Sequence, residues 1–342
     1  MKFLKSLPGI GLSFVIAVLA LWFESLLPIH VIGASVIAMF IGMALNYLLR
    51  NTDVFSSGAK FTSKKILKFA IILLGLSLNI NTIFNVGKMS LLVMVFTLLT
   101  CFGGGYFIGR ALKINWKLSN LISAGTGICG GSAIAAIAPT IDADNNDVAY
   151  AMSATFLFDM AMILLFPIMG RAIGMTDEAF GLWAGTAVND TSSVVATGYA
   201  FSETAGDFAT MVKLTRTLSI IPTVLVFAFV NLNLKRKQAR KNGIDEHSLK
   251  ANFSIKKIFP WFIVGFVAMS VISSVFSIPS AVVSNTKTAS KFLMVASLGA
   301  IGLNTSFASM KKSGIRPMIH GFIISALVVV VALLVEIAMG IV

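Results

Sequence analysis

Four ionisable side chains, Asp159, Asp190, Lys213 and Arg216, lie inside long apolar stretches of a 342-residue chain. A charge at the centre of a bilayer costs about 2.5–3.5 kcal/mol by insertion scales, so it is rarely kept without a partner or a task. Two chemistries fit these residue types. Intramembrane carboxylates bind H⁺ or Na⁺, whereas a lysine and an arginine three residues apart share one helical face and can hold a small anion. Either task makes the chain a candidate for moving something across a membrane.

The elements that must position these groups are apolar helices. Hydrophobic residues make up 57% of the chain and charged residues only 12%, with a mean hydropathy of +0.90. A soluble domain is nearer half apolar and a quarter charged, so the reading is an all-α polytopic membrane protein. The net charge of +13 does not imply nucleic acid, because the bases cluster in short segments between apolar runs. That is the positive-inside pattern of a cytoplasmic (inner) membrane protein embedded in lipid. Cys101 and Cys129 both sit in apolar runs, which excludes a disulfide framework and a metal site. No cofactor or catalytic constellation is expected, so the chain is read as no enzyme.

At about 20 apolar residues per span, the runs give about eleven spans: 9–27, 31–49, 65–83, 88–110, 117–140, 147–170, 178–201, 207–232, 258–277, 288–308 and 315–341. Drawn from a cytoplasmic N-terminus, they put every basic loop on one side and the C-terminus outside. The basic loops are the N-terminus (Lys2, Lys5), 50–65, 110–117, 233–257 and 309–316. The loop with Asp142, Asp144 and Asp147 falls outside, and the 171–177 loop is undecided. One transporter domain fills 1–342, with both broken segments in 1–232, a cytoplasmic basic loop at 233–257 and C-terminal helices in 258–342.

Two stretches match at a constant offset of sixty. Ala124, Gly125, Thr126, Ser132 and Ala136 have identical counterparts in Ala184, Gly185, Thr186, Ser192 and Ala196. Gly125, Gly127, Gly130 and Gly131 would weaken a helix by about 1 kcal/mol each against alanine. Irregular backbone at membrane depth survives only where protein or a cavity surrounds it, and paired interruptions point to a transporter binding site. Residues 125–132 and 186–192 are therefore expected to be non-helical and close together. Gly105 and Gly109 are read as helix-packing positions. A weaker echo links 74–79 with 298–304, in spans that run oppositely. The 125 and 185 segments run the same way on this topology, unless one of them is re-entrant.

Half-helix N-termini near Gly130, Gly131 and Ser132, and near Asn189, Thr191 and Ser192, would offer N–H groups and positive dipole ends to an oxyanion. Asp190 precedes Thr191 as a candidate N-cap. Lys213 and Arg216 admit three readings: an anion site, a salt bridge to Asp190 or Asp159, or, for Lys213, snorkelling to the interface. Asp159 and Asp190 are the coupling-ion or charge-pair candidates.

The run GTGICGGSAI, the run WAGTAVNDTSSVVA and the motif VKLTR together resemble the YeiH family of bacterial inner-membrane proteins, which carries the description sulfate exporter. The resemblance covers nearly the whole chain. It implies an inverted-repeat bundle with broken crossing helices, of the kind found in NhaA and the bile-acid symporters, and export of sulfate, sulfite or an organosulfonate. A dianion leaving an inside-negative cell gains roughly 4.6 kcal/mol per 100 mV, at about 2.3 for each charge. The alternative is a Na⁺- or H⁺-coupled transporter of cations or organic anions that uses Asp159 and Asp190. The partners implied are a small inorganic or organic anion, H⁺ or Na⁺, and the lipid bilayer, with a homodimer left open.

Overall fold

The computed structural model describes residues 6–26, 34–48, 53–241, 260–305 and 314–342. Every regular element among the described residues is a helix, with no strand. The helices are α1 (Leu7–Leu26), α2 (Ala34–Leu48), α3 (Asp53–Phe61) and α4 (Leu67–Leu74), the last two joined by a π turn at Thr62–Ile66. α5 (Ile80–Leu99) runs through another π turn into α6 (Gly105–Ala111). Then come α7 (Trp116–Ala124), α8 (Gly131–Ile137), α9 (Asn145–Ile173), α10 (Asp177–Ala187) and α11 (Thr191–Phe201). The chain ends with α12 (Glu203–Leu218), α13 (Ile220–Lys241), α14 (Trp261–Val275), α15 (Ser280–Leu303) and α16 (Ile315–Ala338).

Five of these stretches are long and apolar enough to cross a bilayer: Leu7–Leu26, Ile80–Ala111, Asn146–Ile173, Glu203–Lys237 and Ile315–Ala338. α2 and α14 are apolar but shorter. α13 continues to Lys241, past the expected boundary at 232. The remainder of the basic 233–257 connector, like Lys2, Lys5, Arg50, Lys311 and Lys312, lies outside the described residues.

Two expected spans do not cross the bundle. The 117–140 stretch enters as α7 and returns as α8 to the end it came from. Lys117, at its start, donates to the Asp142 carbonyl just past its end (2.6 Å), and Asn115 donates to the Asp147 carboxylate at the start of α9 (3.1 Å). The 178–201 stretch does the same as α10 and α11. Phe180 in its first turn stacks on Phe201 in its last, ring centroids 4.0 Å apart, and Arg171 at the end of α9 donates to the Ala200 carbonyl (2.8 Å). Both are re-entrant hairpins. α9 runs the length of the bundle between them, so they enter from opposite ends. The sequence expectation that the two segments run the same way is thereby corrected.

Two loops, 141–146 and 171–177, change sides as a result. Asp142, expected outside, lies at the same end as the basic connector, paired with Lys235 at 2.7 Å and accepting from Asn231 of α13 at 2.8 Å. Burial works to raise its pKa, but the hydrogen bonds from Lys235 and Asn231 and the charges of Lys235 and Lys117 outweigh it and hold the carboxyl below its ordinary value. This end, here called the basic face, also carries Ser6 against Ser57 (3.0 Å) and Asn46 against the Leu303 carbonyl (2.6 Å). At the opposite face Glu24 meets the Ala34 N–H (2.8 Å) and Ser274 meets the Ile80 N–H (3.0 Å). α1, α2, α3–α4, α5–α6, α9, α12–α13, α14, α15 and α16 each run from one face to the other. α3–α4 and α15 are antiparallel, with Ser290 donating to the Ala70 carbonyl at 2.7 Å and Ser297 to the Thr62 carbonyl at 3.3 Å.

Candidate functional site

The two hairpin tips meet in the middle of the bundle, and each break is shorter than the sequence suggested. In the first hairpin, residues Gly125–Cys129 form a π turn and the chain reverses at Gly130, whose φ of +61° suits a residue without a Cβ. Helical geometry resumes at Gly131, so 125–132 is not non-helical throughout. In the second hairpin only 188–190 is extended, and Asp190 caps α11 by accepting from the Ser192 N–H at 2.9 Å. The Ser192 hydroxyl donates to the same carboxylate.

Each break exposes backbone groups that have no helical partner, and the four charges satisfy them by sign. The Asp159 carboxylate, 1% exposed, accepts the N–H of Asn189 on one oxygen and the N–H of Asp190 on the other, both at 2.9 Å. Lys213, 0% exposed, donates to the Val188 carbonyl at 2.9 Å. Arg216, 1% exposed, donates through Nε to the Gly127 carbonyl at 2.7 Å and through Nη2 to the Thr126 carbonyl at 2.8 Å. Cations therefore sit at the carbonyl ends of both incoming arms and the two carboxylates at the amide end of α11, the outgoing arm of the second hairpin, as helix dipoles favour. An unpaired buried group of this kind costs about 1–3 kcal/mol, so the set holds the breaks open.

The arrangement is reciprocal. α9 follows the first hairpin and sends Asp159 into the break of the second, while α12 follows the second and sends Arg216 into the break of the first. Close approach of α10 to α12 needs Gly185, because a Cβ there would lie 2.6 Å from Val212 Cγ1. Among the described residues no ion pair joins Lys213 or Arg216 to Asp159 or Asp190, so the salt-bridge reading is replaced by bonds to backbone. Snorkelling of Lys213 is excluded by its burial in mid-bundle.

The remaining predicted residues divide by exposure. Asn189 is fully buried, donating to Ser325 of α16 at 3.3 Å, and its Oδ1 has no partner. Thr126 lies 3.4 Å from the same Ser325 hydroxyl. Gly131, Asp190 and Thr191 are half-buried and Ser132 is exposed, so an accessible polar edge runs along the outgoing arms. Asp190 is the one of the four charges that reaches this edge. Sequence reasoning missed Ser325, since a lone serine in an apolar run carries no signal. Gly105 and Gly109 do serve packing, against Ser123 and Ser119 of α7.

Helices of this length and hydropathy, with two opposed hairpins at their centre, define a multi-pass helical membrane protein. The chain matches, over residues 8–321, the family described as conserved hypothetical protein 698, and it belongs to that family. It is 56% identical over 334 residues to a UPF0324 membrane protein of Clostridium tetani, covering 97% of each chain. It is 39% identical over 347 residues to a UPF0324 membrane protein of Streptococcus pyogenes serotype M18, covering 99% of this chain and 98% of the other. Among solved structures, the sodium proton antiporter MjNhaP1 of Methanocaldococcus jannaschii aligns over 100% of this chain and 98% of its own, at 13% identity and a TM-score of 0.33. A likeness that low carries no argument about fold or function.

Proposed function

We propose that the chain is a secondary transporter that carries a small oxyanion, sulfate before sulfite or an organosulfonate, past the junction of the two hairpin tips. The observation that supports this reading is the contact of Gly130 with Asp190, where a Cβ on the glycine would lie 2.7 Å from Asp190 Oδ1. Two hairpins that each reach halfway from opposite faces leave one layer of residues between the faces. A small movement of either tip would then change which face reaches the polar edge, which is what alternating access needs. The constant offset of sixty, together with the opposed senses of the hairpins, supports an inverted repeat.

The oxyanion reading draws on the resemblance to the YeiH family and on the polar edge of Gly131, Ser132 and Thr191. Lys213 and Arg216 act from behind that edge, since their own hydrogen bonds go to carbonyls. The four charges cancel formally, so an approaching dianion would meet the half-exposed Asp190 as an obstacle unless H⁺ or Na⁺ neutralised it. That makes Asp190, backed by Asp159, the coupling-ion site. A second reading makes the cation the substrate, and the half-exposure of Asp190 beside a fully buried basic pair favours it. The basic face suits the cytoplasm by the positive-inside rule, which would put the N-terminus of a cell-membrane protein inside and its C-terminus outside.

Counterflow of labelled sulfate into sulfate-loaded proteoliposomes tests the first reading. Saturable uptake that depends on pH or Na⁺ supports it. Sulfate-independent Na⁺/H⁺ exchange with no sulfate counterflow would replace it with the second.

A further inference from the structure

The two hairpins are held differently. α11, the outgoing arm of the second, packs on α2 and α15, through a small cluster of Val36, Met39, Met43 and Leu298 against Ile163, Ala196 and Ala200. α1, α2 and α15 share a core of their own, including Ile16, Ala38, Val295 and Ala300, apart from the larger core around the hairpins. α8, the outgoing arm of the first hairpin, packs instead on α7, α9 and α13 and leaves Ser132 and Ala135 exposed. The second hairpin is thus braced by α2 and α15, while α8 of the first is exposed along Ser132 and Ala135.

A polar chain spans the covered seam. The Tyr199 hydroxyl of α11 donates to Asp207 Oδ1 of α12 at 2.5 Å, and Lys287 of α15 donates to Asp207 Oδ2 at 2.7 Å. One helical turn along each element, Lys291 pairs with Glu203, and its ammonium lies 5.7 Å from the Tyr199 ring centroid. The Asp207 and Lys287 side chains are 11% and 30% exposed, whereas Glu203 is 72% exposed. Desolvation strengthens the inner pair and solvent screens the outer one. None of these five residues touches the backbone breaks, and their partners lie on a helix with a different core.

We propose that Tyr199, Asp207 and Lys287 form a latch that holds the second hairpin against α15 and keeps the tips closed to the opposite face. The latch rests on the transport reading, since it has a task only if the tips change faces. Breaking the inner link releases the seam, and breaking the exposed Glu203–Lys291 pair barely does.

The test needs no substrate. Thr191→Cys places a thiol at the half-buried tip of a chain whose own cysteines, Cys101 and Cys129, are buried. A membrane-impermeant maleimide is applied from the opposite face in proteoliposomes of known orientation. Asp207→Asn or Lys287→Met should raise the labelling rate about fivefold, and Glu203→Gln less than about twofold. The charge-swapped pair Asp207→Lys with Lys287→Asp should return the rate towards the parent and covers the case in which a single variant fails to fold. Measurable and equal labelling from that face in parent and folded variants overturns the latch and leaves transport standing. Position 191 unreactive from that face in every protein, while reactive from the basic face, overturns both.

Discussion

Gly130 and Asp190 touch across the centre of the bundle, the glycine Cα turned towards the aspartate side chain so that a Cβ would lie 2.8 Å from Asp190 Cβ. The two residues come from hairpins that enter from opposite faces. Their contact fixes how close the tips can come.

Gly130→Ala is therefore expected to be severe. The positive φ alone costs about 1–3 kcal/mol for a residue with a side chain, and the clash with Asp190 adds to it. Gly131→Ala should be mild, because its Cβ would meet only Met152 Cε at 4.0 Å. Thermal unfolding of the two purified variants in detergent checks the contrast.

Arg216→Ala removes the donors of the Thr126 and Gly127 carbonyls. Two orphaned carbonyls at about 1–3 kcal/mol each predict a loss of roughly 2–6 kcal/mol. Arg216→Lys should recover part of it, since an ammonium cannot reproduce the planar fork. Sulfate-dependent thermal stabilisation, measured on the same variants, asks whether Arg216 also senses the anion. A well-folded Arg216→Ala protein would show that the breaks do not depend on it.

Asp159 and Asp190 should separate fold from coupling. Asp159→Asn sets an NH₂ group against one of two N–H donors and should lower stability by about 1–3 kcal/mol. Asp190→Asn keeps an effective N-cap, so it should fold and still lose H⁺ or Na⁺ dependence in the counterflow assay. Coupling that survives in Asp190→Asn would move the ion site elsewhere.

The position of the acidic loop is open to a direct check. A cysteine replacing Asp144 should label from the same side as one replacing Lys237, given the Asp142–Lys235 pair. Labelling from opposite sides would restore both stretches as spans.

Much of this was legible in the residues, and the limits have physical causes. The glycine cluster announced the break at 125–131, and Asp190 before Thr191 announced the cap. What hydropathy could not carry is direction. A 24-residue apolar stretch with a weak centre reads the same whether it crosses or turns back, so 117–140 and 178–201 passed as spans. Loop charge hid the error, because two lost crossings cancel in parity and displace only the 141–146 and 171–177 loops. Of the acidic residues read as external, Asp142 pairs with Lys235 and Asp147 accepts from Asn115, partners that no local pattern reveals. Lys213 and Arg216 were found, but their partners are backbone carbonyls of distant turns, and a carbonyl freed by a break has no letter in a sequence. The Asp207–Lys287 link could have been suspected from Glu203 and Asp207 matching Lys291 and Lys287 at equal four-residue spacing.

The central claim is that flux passes the hairpin tips, and blocking one tip during transport tests it most directly. Ala135→Cys protein, altered on the exposed side of α8 one turn from Ser132, should exchange labelled sulfate in proteoliposomes with saturable kinetics, and should lose that exchange when a bulky maleimide occupies position 135. The same reagent should leave the parent chain active. Sulfate exchange that continues unchanged with position 135 fully modified would contradict the account.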